Sequence, residues 1–100
     1  MFVVLYRWRV DFERQFVRSW SERTVYLRER YDSLGSRLHR GNDGIFYAYA
    51  QWQSVEQREN AFKQMPELAV REKYRESIAE TFPEIVLDPL ADYLIFPKKL

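Results

Sequence analysis

The chain has 100 residues, of which 46% are hydrophobic and 17% aromatic, and 16 basic against 15 acidic side chains leave a formal charge of +1. That length suits one domain, able to bury roughly 60–70% of its unfolded surface. The absence of cysteine excludes disulfides, thiolate zinc sites and cysteine nucleophiles and fits a reducing, cytoplasmic setting. The balanced charge argues against nucleic acid or an anionic membrane as partner, and no stretch approaches the ~18 apolar residues of a membrane span.

Phe2 to Val10, rich in β-branched and aromatic types, predicts a first strand. Its apolar run stops at Arg7, too short for the core of a signal peptide. Asp11 reads as the N-cap of a helix with Glu13 in its first turn. Phe12, Phe16, Trp20, Leu27 and Tyr31, with Thr24 in the gap, recur on one helical face, and Arg28 and Arg30 suit its C-terminal dipole.

Ser33 to Arg40 predicts a second strand, where Gly35 suggests a bulge or a close backbone approach. Gly41-Asn42-Asp43-Gly44 signals a hairpin into a third strand, Ile45 to Trp52. Ser54 and Gln57 form a capping box for a helix ending near Gln64. Pro66 restarts a helical stretch from Glu67 to Glu80, with Val70, Tyr74 and Ile78 on one face. Glu72, Glu76 and Glu80 with Arg71 and Arg75 read as its solvated side. Pro83 ends it, and Ile85 to Phe96 predicts a fourth strand, edge-like and bulged at Pro89. The domain spans 1–96, and 97–100 is a short tail.

The order β-α-β-β-α-β predicts an α+β, ferredoxin-like domain: a four-stranded antiparallel sheet with helices on one face. Alternation places Phe2, Val4, Tyr6 and Trp8, and Phe46, Ala48, Ala50 and Trp52, toward the helices. The opposite set includes Leu5, Arg7, Tyr47 and Tyr49, and the fourth strand is apolar on both sides. Tyr and Arg are enriched at protein interfaces, so Leu5, Arg7, Tyr47, Tyr49 and Tyr93 are the expected interface of a homodimer.

Tyr6-Arg7-Trp8, the run Ser33-Leu34-Gly35-Ser36-Arg37-Leu38-His39-Arg40, and Tyr49-Ala50-Gln51-Trp52-Gln53-Ser54 carry a resemblance that continues through Pro83-Glu84-Ile85 and Asp92-Tyr93-Leu94. On them the chain resembles the antibiotic biosynthesis monooxygenase family. The resemblance implies a dimeric α/β barrel with one pocket per subunit between sheet and helices. It also implies oxygenation of phenol- or quinol-type substrates without a cofactor, although the family includes haem-degrading enzymes and members of no assigned activity. Where the haem-degrading branch carries an Asn, a Trp and a His, this sequence has Tyr6, Ala61 and Arg71, so haem chemistry is not expected.

His39, the sole histidine, is the residue whose ordinary pKa suits it to act as a base near neutrality, and Arg37 shares its strand face as an anion holder. Both also suit a solvated hairpin mouth. Tyr6, Trp8, Trp20, Trp52 and Tyr74 are the expected walls of a site for a small aromatic ligand, with Ala48 and Ala50 leaving room; packing as core is the alternative. One histidine among scattered carboxylates gives no metal-ligand spacing. Two other classes stay open. One is a non-catalytic dimeric module that binds a small ligand. The other is an RNA-recognition motif, whose strand order is the same but whose basic residue and glycine are replaced here by Ile45 and Phe46.

Overall fold

The computed structural model describes residues 1–97, so the expected tail beyond Pro97 lies outside the described residues. Its elements are β1 (Phe2–Val10), α1 (Glu13–Tyr31), β2 (Ser36–Arg40), β3 (Phe46–Trp52), α2 (Val55–Gln64), α3 (Val70–Glu76), β4 (Ile78–Thr81) and β5 (Ile85–Leu87). The sheet is antiparallel, ordered β2-β3-β1-β4, with β5 also on β1. This is the expected α+β, ferredoxin-like arrangement, but with five strands rather than four.

The difference lies in the last third of the chain. The helical stretch predicted through Glu80 stops at Glu76, and Ile78 to Thr81 instead pairs with Trp8 to Val10. The strand predicted from Ile85 to Phe96 stops at Leu87 after pairing with Val3 to Leu5. One long edge strand is thus replaced by two short ones that share β1. Pro83 explains the break, because it has no N–H to give the ladder. The Phe82 N–H still donates to the Arg7 carbonyl at 3.0 Å, and Arg7 Nη2 then donates to the Pro83 carbonyl at 3.1 Å. Pro89 stops β5 for the same reason, and restricts Asp88 before it. Residues 88–97 form no regular element.

Elsewhere the local chemistry acts as expected, with two exceptions. The capping box is reciprocal: Ser54 Oγ accepts from the Gln57 N–H at 3.0 Å, and Gln57 Oε1 accepts from the Gln53 N–H at 2.9 Å. The Gly41–Gly44 hairpin closes through the Gly41 N–H on the Ile45 carbonyl at 2.7 Å. Gly35 adopts φ +93°, and this left-handed backbone, rather than any crowding, requires glycine; β2 begins after it, at Ser36 rather than Ser33. The first exception is the start of α1. Asp11 does not cap it; the N-cap position is Phe12, and the Asp11 N–H donates to the Ser77 carbonyl at 2.8 Å. The second is Phe12, which is exposed, while Ser19 takes a buried place on the inner face and returns its hydroxyl to the Gln15 carbonyl.

The core lies between the sheet and the helices. Val4, Leu27, Trp52 and Ala61 form one buried cluster, and Trp8, Phe16, Phe46 and Ala48 another. β3 alternates strictly, with Phe46, Ala48, Ala50 and Trp52 buried and Tyr47, Tyr49 and Gln51 half-buried. No helix among the described residues is long and apolar enough to cross a membrane.

Candidate functional site

Residues of both clusters line a cavity of about 510 Å³. β1 contributes Tyr6 and Trp8 to its wall, and β3 contributes Ala50 and Trp52. Trp20, Arg23, Thr24 and Leu27 enter from α1 at three- and four-residue spacings, which put them on one side of the helix. Arg58 and Phe62 come from α2, and Arg71, Tyr74 and Arg75 from α3. Phe82 and Glu84 close it from the link between β4 and β5. That link runs beside the cavity only because the last strand is split at Pro83.

All five aromatic residues singled out in the sequence, Tyr6, Trp8, Trp20, Trp52 and Tyr74, line this one cavity. Tyr6 stacks on Trp8 at 5.9 Å between centroids, and Trp8 meets Tyr74 edge-on at 6.4 Å. Ala50 lines the space as expected, while Ala48 lies in the packed cluster beneath Trp8 and Phe46.

Charge enters through residues the sequence did not single out. Arg58 Nη2 donates to the Tyr6 hydroxyl at 3.0 Å and to Glu84 Oε2 at 2.6 Å. Its guanidinium also lies over the rings of Tyr6 and Phe62, at 5.7 and 5.4 Å. Arg23 lies over Phe62 and Tyr74, at 5.6 and 5.4 Å. Burial raises the pKa of Tyr6 despite the opposing charge of Arg58, and pushes Tyr74 up to about 12. Both phenols are therefore protonated at neutral pH and can donate hydrogen bonds to a ligand; neither can act as a base there. Among the described residues, Trp52 Nε1, Ser36 Oγ and Arg58 Nε are buried beside the cavity without a hydrogen-bond partner.

Arg37 and His39 are placed elsewhere. Both are exposed on β2, pointing away from the helices, and neither lines the cavity. They border a separate surface groove with Glu13, Val17 and Trp20, and the Arg37 guanidinium lies 5.9 Å from the Phe96 ring. Leu5, Arg7, Tyr47 and Tyr49 are half-buried on the same outer side, and Tyr93 is 91% exposed on the segment after β5. Tyr47 donates its hydroxyl to Asp43 at 2.5 Å, which holds the Asp43 carboxyl below and the Tyr47 phenol above their usual ranges.

One of the missed residues had a readable signal. Arg23 sits three residues after Trp20 and four before Leu27, a cation on an otherwise apolar helical stripe. Arg58 had none, and Glu84 stood out only within the Pro83-Glu84-Ile85 run; 26 positions separate the two and only the fold joins them.

No protein-family model matches the sequence, and no curated protein matches it. Solved structures do. A cofactor-independent oxygenase from Streptomyces nogalater, SnoaB, superposes with a TM-score of 0.77 at 13% identity, over 92% of this chain and 95% of that one. A monooxygenase from the gene ActVA-Orf6 of Streptomyces coelicolor, solved with nanaomycin D, superposes with a TM-score of 0.69 at 22% identity, over 95% of this chain and 92% of that one. A candidate antibiotic biosynthesis monooxygenase from Bordetella bronchiseptica gives 0.66 at 19% identity, over 90% and 97%. At these identities the likeness is one of fold, and it spans nearly the full length of each protein.

Proposed function

We propose that this chain is a monooxygenase of the antibiotic biosynthesis type, acting as a homodimer on a small phenol- or quinol-type aromatic without a cofactor. The observation that carries this reading is the cavity: about 510 Å³, walled by seven aromatic side chains, with an arginine bridged to a tyrosine at its side. The shared fold with SnoaB and the Streptomyces coelicolor monooxygenase supports it.

The chemistry needs little from the protein. An electron-rich ring beside a methylene loses a proton to solvent and gives a delocalised anion. The anion passes one electron to dioxygen, and the resulting radical pair joins as a peroxide on that carbon, which takes a proton back from solvent to give the hydroperoxide. Loss of the remaining hydrogen with cleavage of the O–O bond releases water and leaves a carbonyl. One oxygen atom ends in the product and one in water, so no outside reductant is consumed. The step to be stabilised is formation of the anion. A positive charge fixed beside the ring does that best. Arg58, held by Tyr6 and Glu84, fills that role, and Tyr6 and Tyr74 donate hydrogen bonds as neutral phenols. Arg37 and His39 were the expected anion holder and base, but they lie outside the cavity, so the anion is assigned to Arg58.

Oxygen uptake with a panel of quinols and anthrones tests the proposal. Turnover is expected with at least one, falling on the order of 100-fold in Arg58→Met, as when one charge-stabilising group is lost. His39→Ala is expected to change it no more than about threefold, the cost of losing a group outside the site. Ligand binding with no oxygen uptake anywhere in the panel would reduce the chain to a binding module of the same fold.

A further inference from the structure

Four arginines line the cavity, Arg23, Arg58, Arg71 and Arg75, against one carboxylate, Glu84. Glu84 is occupied by Arg58 at 2.6 Å. Arg71 reaches Glu67 at 3.6 Å, but both ends of that pair are exposed, and such pairs are weak. Arg23 and Arg75 have no carboxylate partner among the described residues. Arg23 is half-buried, and its contacts with Phe62 and Tyr74 orient the guanidinium without neutralising it. A planar, oriented and unpaired guanidinium matches the two oxygens of a carboxylate.

An independent observation points the same way. Trp52 is 2% exposed and lines the cavity, and its buried Nε1 has no acceptor among the described residues; the buried Nε of Arg58, also a lining residue, has none either. Buried donors are nearly always paired, so two unpaired ones on residues that line one cavity show its surroundings to be rich in donors and short of acceptors. Excess positive charge and spare donors call for a ligand that is both anionic and rich in acceptors. An aromatic hydrocarbon with neutral substituents would leave both unmet, at a real cost in affinity.

We infer that the ligand of this cavity is an aromatic carboxylate, with its rings among Tyr6, Trp20 and Trp52 and its carboxylate on Arg23 and Arg75. The inference rests on the reading above that the cavity takes a small aromatic molecule, and it narrows that class to its acids.

Calorimetric titration of the whole protein with 1-hydroxy-2-naphthoate and with its methyl ester tests it. The two probes share their rings and differ in one charge. At low ionic strength the acid is expected to bind about tenfold tighter or more, and added salt should shrink that ratio, as it does for partly exposed charge pairs. Arg23→Gln should bring the ratio of the two affinities close to one. If that variant does not fold, as judged by near-ultraviolet circular dichroism, Arg75→Gln, at a lining residue that is itself solvent-exposed, serves instead, and the ratio should fall about threefold or more. Equal or tighter binding of the ester would overturn the inference and leave the aromatic reading standing. A ratio that survives in the folded variant would also overturn it, since the charge would then be read elsewhere. Binding of neither probe would overturn the inference together with the aromatic reading beneath it.

Discussion

Along β1 and β3 alternate side chains point to opposite faces of one sheet, and the two faces are closed in different ways. On the inner face Val4, Trp8, Ala48 and Trp52 are at most 4% exposed, covered by three helices from their own chain. On the outer face Leu5, Arg7, Tyr47 and Tyr49 are half-buried, and Arg9, Arg37 and His39 are exposed. Hydrophobic content alone does not explain this, since tyrosines stand on both sides. Cover does. The inner face has helices whose apolar stripes match it. The outer face has only β5's neighbourhood and the segment after it, which share a cleft with Val3 and Tyr49 and leave Val3 1% exposed. One face therefore holds the stability and the cavity. The other holds half-buried and exposed tyrosines and arginines.

A pair of truncations would break this comparison most sharply. Phe16 is fully buried against Trp8, Phe46 and Tyr74. Phe16→Ala is expected to cost about 3–5 kcal/mol in urea unfolding, enough to threaten the fold of a domain this small. Tyr49→Ala, on the outer side of a strand that is buried on its inner side, should cost less than about 1.5 kcal/mol in dilute protein. Similar losses from the two would mean that both faces are equally closed within one chain.

The inner face was largely legible in the sequence because one rule controls it. Period-two alternation in Phe2–Trp8 and Phe46–Trp52 and helical spacing in Phe16–Leu27 each name the buried side without reference to the rest of the fold. The aromatic walls of the cavity follow from the same rule. The last third was not legible in this way. Ile78 continues the helical spacing of Val70 and Tyr74, yet Ile78, Glu80 and Thr81 are paired with the edge of β1, a long-range demand that no local pattern reports. The apolar run after Pro89 satisfies the composition of a strand, but it pairs with no strand among the described residues. Arg58 and Glu84 were hidden for the same reason: their meeting depends on where Pro83 splits the edge.

Alkaline titration sharpens the comparison further. Tyr74 packs on the inner side, and its pKa is raised from 10.0 to about 12 by burial. In the unfolded chain it ionises at its ordinary value, and in the folded protein only later. Between those two values the unfolded state has released a proton that the folded state still holds, so stability falls as pH rises from 10 toward 12 and levels off above. The loss is about 3 kcal/mol for this group. In Tyr74→Phe the loss should be smaller by that amount, which urea midpoints at matched pH values would measure. Tyr47, on the outer side, is raised instead mainly by its hydrogen bond to Asp43. Its removal should leave an alkaline loss little changed if the inner side dominates.

The smallest expected effect tests the outer face. Leu5 sits mid-sheet, opposite Tyr49 on one side and Ile85 on the other, with Arg7 and Arg37 nearby on the same face. Beyond it the segment after β5 presents Leu90, Tyr93, Leu94, Ile95 and Phe96 at 72–92% exposure. Apolar surface on that scale is more than a single subunit usually shows, and the second copy of the proposed homodimer would cover it. Leu5→Arg adds a third cation to that patch. Its long stem can still lie along the sheet while its charge reaches water, so the subunit itself should fold. Between two copies the added charge meets its own image as well as Arg7 and Arg37. The dimer dissociation constant should rise about tenfold or more, or about 1.4 kcal/mol, by sedimentation equilibrium. If the unaltered protein sediments as a single subunit at micromolar concentration, the outer face needs no partner. The segment after β5 would then have to be explained as cover for its own sheet, and the inner face, with its cavity, would carry the function alone.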